Sequence, residues 1–305
     1  MTRRVKIAAV SYRLAGQSTA RQDRIDQAFA YVEAAALDGP DLVLLPELCE
    51  TLSQEFQQVR QIKDHAARLQ AVLEFAETED GPILSRTAEA AARHRVIVVN
   101  NTLVRDGDRC HNQATFVGRD GEIVGRYRKV QPTEGEYEDM GITPGDDLRP
   151  IEVEGVRYGV MICNDQAFPE ICQIYMLQGV DVLLHPTQAA GPTETIRSEL
   201  LRTRAHDSSC YLAVSGFCGA EKLAWSDRES RATIYDYNGY AVADSGHREG
   251  HVMAELGLDE ARWTSWCRDK DHRQTILRQA RADLYGRYYL SLAEKKENMV
   301  DPEPD

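Results

Sequence analysis

The sequence has no apolar run long enough to span a bilayer, which takes about 18 to 20 residues. The apolar stretch in its "MTRRVKIAAVSY" start is too short, and too soon followed by charge, for a secretory leader. No two of its seven cysteines form a CxxC pair; they scatter over positions 49, 110, 163, 172, 210, 218 and 267. That spacing offers neither a zinc site nor a disulfide framework. Positive charge is in deficit, since 36 Lys and Arg against 49 Asp and Glu leave a formal net charge of -13. This is the wrong sign for a surface that neutralises phosphates. Pro/Ser-rich linkers, internal repeats and low-complexity segments are also missing. These absences lead us to expect a soluble, cytoplasmic protein with no nucleic-acid partner, no membrane partner and no metal or other cofactor.

What is present is enough for a sizeable core: 305 residues, 42% of them hydrophobic. Strand and helix patterns alternate. "VKIAAVS" and "PDLVLLPE" read as strands on either side of an Ala-rich helical segment, and residues 53–78 and 82–94 read as helices. "RVIVVNNTLVR" is a strand, and "CHNQATFVGRDGEIVGRYRKV" a hairpin turning at Asp-Gly. "VRYGVMIC", helix 168–178, strand 181–186, helix 194–208 and "CYLAVSGFC" follow, then a hairpin "RATIYDYNGYAVADSG" whose Asn-Gly pair suits a type I′ turn. This order predicts an α/β fold with mixed sheets. Residues 1–258 form the expected domain, and 259–305 a helical arm with an acidic, Pro-containing tail.

Three of these strands end on chemically active side chains. "LVLLPELCE" places Glu47 directly after an apolar strand, where a carboxylate is costly unless paired or used. "GEIVGRYRKV" leads a strand into Lys129, and the apolar run Gly159 to Cys163 stops at a thiol followed by "NDQAFPE". Taken alone, a strand cysteine is ordinarily a small hydrophobe, and a strand-end Glu or Lys a solvated charge. Together they are coherent, because ligands gather at the carboxyl ends of strands in α/β sheets. A carboxylate takes the thiol's proton, and a lysine favours the thiolate and faces an oxyanion. Cys110-His111, by contrast, starts a hairpin strand with no convergent partner and reads as structural. Cys49, Cys172, Cys210 and Cys218 sit in apolar contexts and read as core.

"LLPE", "YRK" and "GVMICNDQAFPE" together resemble the carbon–nitrogen hydrolase (nitrilase) superfamily, and the likeness extends over residues 5–256, both hairpins included. The resemblance implies a four-layer αββα sandwich with two mixed β-sheets, a homodimer or larger homo-oligomer, and a catalytic Glu47, Lys129 and Cys163 with the Asn164 backbone N–H as second oxyanion donor. It further implies a second glutamate several residues before Pro144-Gly145. Counting back from that turn selects Glu138, with Glu134 and Glu136 as rivals. Asp165 and Glu170 read as local caps.

Cys163-Asn164-Asp165 has the Cys-x-Asp pattern of the amidase and N-carbamoyl hydrolase branches, where nitrilases carry Cys-Trp-Glu. Gln166 and Ala167 replace the arginines that hold a substrate carboxylate in N-carbamoyl-amino-acid hydrolases, unless Arg197 or Arg202 substitutes. Asp207 and Ser208 stand where the family has Glu-Asn, a departure expected to alter packing beneath the pocket. Phe168, Thr187 and Gln188 are candidate substrate contacts. The expected activity is cleavage of a small-molecule amide or carbamoyl amide through a Cys163 thioester, with ammonia released. The alternatives are an N-carbamoyl hydrolase, a nitrilase, an acyltransferase using the same thioester, and a non-catalytic binding protein.

Overall fold

Hydrophobic alternation along the strands, with helices between them, sets the architecture. The computed structural model describes residues 3–14, 19–188, 194–218, 231–246, 248–260 and 271–297. In chain order the first half runs β1 (Arg4–Arg13), α1 (Arg21–Ala36), β2 (Leu42–Glu47), α2 (Gln54–Arg60), α3 (His65–Phe75), α4 (Pro82–His94), β3 (Ile97–Asp106), β4 (Arg109–Val117) and β5 (Ile123–Arg128). The second half runs β6 (Ile151–Val153), β7 (Val156–Val160), α5 (Pro169–Leu177), β8 (Val182–Pro186), α6 (Glu194–Ser208), β9 (Tyr211–Cys218), β10 (Thr233–Tyr235), β11 (Ala241–Asp244) and β12 (Gly250–Gly257). Two further helices follow, α7 (His272–Gln279) and α8 (Ala282–Glu297).

The strands make one large mixed sheet in the order β5-β4-β3-β2-β1-β9-β8-β7-β6, with β12 antiparallel to β1 and β10-β11 running on from β9. Pairing is parallel through the middle, from β3 through β2 and β1 to β9, β8 and β7, and antiparallel at the wings. Strands covered on both faces must be apolar throughout, which is why β2, β8 and β9 read as continuous apolar runs. Alternate residues sort into separate cores. Ile7, Leu44, Val99 and Phe116 pack with Tyr158, Val160, Leu184 and Ala213. Their neighbours Val10, Val43 and Val98 turn the other way, onto Phe29 and Val32 of α1 and Ala91 of α4. Met161, Leu183 and Leu212 likewise meet α5 and α6 through Tyr175, Leu201 and Ala205.

The short strand β6 was not among the expected elements, and three further differences are found. Residues 53–78 form two helices, because the Asp64 carboxylate accepts from Ala67 N–H at 2.8 Å and caps a new start. The turn at Asn238-Gly239 has positive φ at Gly239 alone, so it is a three-residue loop and not type I′. Asp236 is the reason: its Oδ1 accepts from the N–H groups of Asn238 and Tyr240, both at 2.9 Å, and fixes the longer loop. Strand β12, "GHVMAELG", carries too weak an alternation to stand out in the sequence.

The chain divides into one unit over Met1–Glu260 and another over Ala261–Asp305. Asp259 belongs with the first because its carboxylate accepts from the N–H and Nε of Arg3 at 2.7 and 2.8 Å. The expected acidic tail, 298–305, lies outside the described residues. No described helix is long and apolar enough to cross a membrane.

Candidate active site

Glu47 is the last residue of β2, Lys129 follows β5 by one residue, and Cys163 comes three residues after β7. The first two meet directly, with Lys129 Nζ 2.9 Å from Glu47 Oε1 and both side chains at most 3% exposed. Lys129 also donates to Glu136, at 2.9 Å to Oε1 and 2.7 Å to Oε2. The second carboxylate is therefore Glu136 and not Glu138, whose side chain is exposed and whose backbone carbonyl accepts from His65. The register differs because the loop after Lys129 contains a π-helical turn over Gly135–Asp139. On a helical turn residues two apart face opposite ways, so burying Glu136 exposes Glu134 and Glu138. Pro144-Gly145 does pin the loop's return: Gly145 N–H donates to Lys129 O at 2.8 Å, and a Cβ there would lie 2.2 Å from Arg128 O.

Glu136→Gln should therefore lower kcat/KM on a good amide by roughly 10²-fold through loss of a charge partner to Lys129. Glu138→Gln should stay within a few-fold of wild type. Steady-state kinetics on the two variants checks this, and the reverse ranking would mean that the loop occupies another register.

Cys163 opens a short 3₁₀ turn, Cys163–Ala167, with φ at 46°. A non-glycine residue in this left-handed region is costly and must be held by its surroundings. Asp165 does the holding. Its carboxylate accepts from Ile162 N–H and Tyr127 Oη, both at 2.8 Å, and from Gln131 N–H at 2.9 Å. It thus ties the Cys163 turn to the segment that follows Lys129, a larger role than the local cap expected. Asn164 Nδ2 makes a second tie to Gln131 O at 3.1 Å. The Asn164 N–H lies in the first turn of the 3₁₀ helix, where backbone donors lack an acceptor within the helix. From beneath, buried Arg204 of α6 donates to Gln166 O at 2.9 Å and lies 3.5 Å from Asp207, so the substituted Asp207 takes part in bracing the turn.

The electrostatics follow from dryness and charge. Burial pushes the Cys163 thiol up to about 12, Glu47 adds to that, and Lys129 with the Thr187 hydroxyl acts the other way. Burial thus favours the thiol over the thiolate that a neighbouring lysine alone would suggest. Lys129 is held above its ordinary range: burial opposes its charge, and Glu47, Cys163 and Glu136 together outweigh burial. Glu136 is held below the usual carboxylate range because Lys129, the Thr133 N–H and Asn112 overcome the effect of burial. Burial raises Asp165 to about 6 against its three hydrogen bonds.

Of the candidate substrate contacts, Thr187 touches the thiol itself through its hydroxyl. Gln188 instead braces the Glu47 segment: its N–H donates to Glu47 Oε2 at 2.7 Å, and Nε2 to Leu48 O at 2.9 Å and Thr51 Oγ1 at 3.0 Å. Phe168 is exposed at the start of α5. Arg202 donates to Gly239 O at 2.9 Å, and the side chain of Arg197 lies outside the described residues. Among the described residues no group of three or more His, Cys, Asp or Glu is arranged to hold a metal ion. Cys110 is buried, its thiol pushed up to about 12 by burial, and His111 Nδ1 lies 2.9 Å from Thr143 O.

A sequence profile of the carbon–nitrogen hydrolase family matches residues 6–266. The chain belongs to the carbon–nitrogen hydrolase family. This carbon–nitrogen hydrolase is similar to the omega-amidase NIT2 of Homo sapiens, with 25% identity over 282 residues covering 88% of this chain and 93% of that one. It is also similar to the omega-amidase NIT3 of Saccharomyces cerevisiae, 24% identical over 271 residues that cover 84% and 88% of the two chains. In fold it matches the crystal structure of a carbon–nitrogen hydrolase from Helicobacter pylori G27, with a TM-score of 0.74, 22% identity and 93% and 98% of the chains covered. An amidase from Nesterenkonia sp. gives a TM-score of 0.71 at 21% identity, with 93% and 96% covered.

Two residues of this hydrolase's site escape a sequence reading focused on strand ends. Asn112, fully buried on β4, donates from Nδ2 to Glu47 Oε1 at 2.8 Å and to Glu136 Oε1 at 2.9 Å. Asn101 of β3 donates to Asn112 Oδ1 at 2.9 Å and accepts from Leu48 N–H at 3.1 Å. The signal available was an asparagine inside each of two predicted apolar strands, where a buried amide demands partners.

Proposed function

We propose that the chain hydrolyses the carbon–nitrogen bond of a small-molecule amide through a thioester on Cys163, releasing ammonia. The observation that carries this reading is the convergence of Glu47 and Lys129, 2.9 Å apart and dry, on a thiol that both influence electrostatically. Because burial favours the protonated thiol, attack calls for a base, and Glu47 is the carboxylate that acts on it most strongly. Sγ bonds to the amide carbon while Glu47 takes the thiol proton. The carbonyl oxygen becomes an oxyanion facing Lys129 and the Asn164 N–H. Collapse breaks the carbon–nitrogen bond as Glu47 returns the proton to the leaving nitrogen. Water then attacks the thioester with Glu47 again as base, and the acid leaves with the thiol restored.

The Cys-x-Asp segment and the omega-amidase names of the human and yeast relatives favour amides over nitriles. The three separate cores likewise support a four-layer αββα arrangement, helices outside and two sheet faces within. The test is ammonia release from a panel of primary amides, ω-amides of dicarboxylic acids and carbamoyl compounds. With nitriles added to the panel, at least one amide should turn over with a kcat/KM more than tenfold above any nitrile or carbamoyl compound. A preference for either of those classes would overturn the amide assignment.

A further inference from the structure

The proposed mechanism places its chemistry on Glu47, Lys129 and Cys163, yet the two carboxylates around Lys129 pose a problem that those residues leave unsolved. Glu47 Oε1 and Glu136 Oε1 both lie 2.9 Å from Lys129 Nζ. Two carboxylates thus share one ammonium in a dry site, an arrangement in which like charges ordinarily make one of the pair pick up a proton. A shared proton would take Glu47 out of service as a base.

Asn112 meets both oxygens with one nitrogen. Its Nδ2 has two hydrogens, and the two acceptors at 2.8 and 2.9 Å are Glu47 Oε1 and Glu136 Oε1. The amide's orientation is set independently, because Oδ1 accepts from Asn101 Nδ2. Its backbone carbonyl also accepts from Lys129 N–H at 2.9 Å. An amide donates to both carboxylates at every pH and cannot itself titrate, which a second lysine or a histidine in this place could not guarantee.

We propose that Asn112 is a positioning residue that keeps Glu47 and Glu136 both ionised beside one lysine and commits Glu47 Oε1 to that network, leaving proton exchange with Cys163 to the acceptor site on Oε2 that the Gln188 N–H, 2.7 Å away, does not fill. The proposal rests on the reading of Glu47 as the base. The titratable groups that face this cluster are Glu47 from β2, Lys129 after β5, Glu136 from the π-helical turn, and Cys163 with Asp165 from the nucleophile turn. His111, next in sequence, turns instead to Thr143.

The experiment follows the pH dependence of Cys163 alkylation by iodoacetamide, located by peptide mass, so that it needs no substrate. The acid limb of that profile reports the ionised carboxylate pair that deprotonates the thiol. Asn112→Leu, close in volume but without a donor, should move the limb up by about one pH unit, since donors to a carboxylate favour its charged form. Asn112→Ser, with a single donor, should move it part of the way. Wild-type position of the limb in either folded variant overturns the proposal. In the wild-type protein, which does not depend on a variant folding, the two Asn112 side-chain amide proton resonances should shift through the same pH range; static resonances overturn it equally. A displaced limb in a protein that releases no ammonia from amides would remove the proposed function and leave this inference standing. An unmoved limb in an active amidase would do the opposite.

Discussion

Cys163→Ala is expected to reduce amide turnover by on the order of 10⁴-fold or more, to the level left by binding alone, because the proposed mechanism runs through a covalent intermediate on this sulfur. The same substitution should hardly change stability. It removes one sulfur from a half-buried position and leaves the backbone at its φ of 46°, where alanine fits no worse than cysteine. The unfolding midpoint should stay within a few degrees of wild type, corresponding to about 1 kcal/mol or less for a domain of this size. Loss of turnover with a preserved midpoint would assign Cys163 to chemistry. Retained turnover would remove it from the mechanism.

Lys129→Met should damage both function and fold. Without the ammonium the oxyanion loses its charged donor, which costs roughly 10²- to 10³-fold in kcat. Glu47 and Glu136 are then left buried side by side with no cation, and breaking a buried pair in this way costs about 3–5 kcal/mol. The pH dependence carries the sign. In the wild type Glu136 is held below its ordinary 4.5, so its contribution is present above that pH and lost as pH falls through the lower folded value. In the variant the uncompensated pair must hold a proton more tightly when folded than when unfolded. Stability should therefore fall as pH rises above about 4.5, the reverse of the Glu136 contribution. Urea unfolding at mildly acidic and mildly alkaline pH reads this directly, and an unchanged slope would mean that Lys129 does not neutralise the pair.

The strand ends were legible because burying strands on both faces leaves few reasons for a charge or an apolar run to stop where it does. Glu47 and Lys129, predicted to converge from two distant strands, lie 2.9 Å apart. The second carboxylate was not legible, since counting back from Pro144-Gly145 assumes an unwound loop, and the π-helical turn at Gly135–Asp139 displaces the register by two residues. The bracing contacts of Gln188 were hidden for a related reason: a polar side chain after a strand faces substrate or backbone according to where the neighbouring strand ends, and here the end of β2 lies within its reach. Asn101 and Asn112 were hidden by their setting, because a sequence shows that an amide is buried without showing which two acceptors it bridges. Asp165 shows the same limit from the other side, a cap by position that also ties the Cys163 turn to the segment after Lys129.

The central claim is that Cys163 carries the acyl group during turnover. Wild-type protein mixed with a good primary amide, quenched in acid at successive millisecond times and digested, should yield a Cys163 peptide heavier by the mass of the substrate less ammonia. That species should rise before the acid product does and should be discharged by hydroxylamine as the hydroxamate. Product formed from the first turnover with no such peptide and no hydroxamate, or with the acyl group on another residue, would contradict the account.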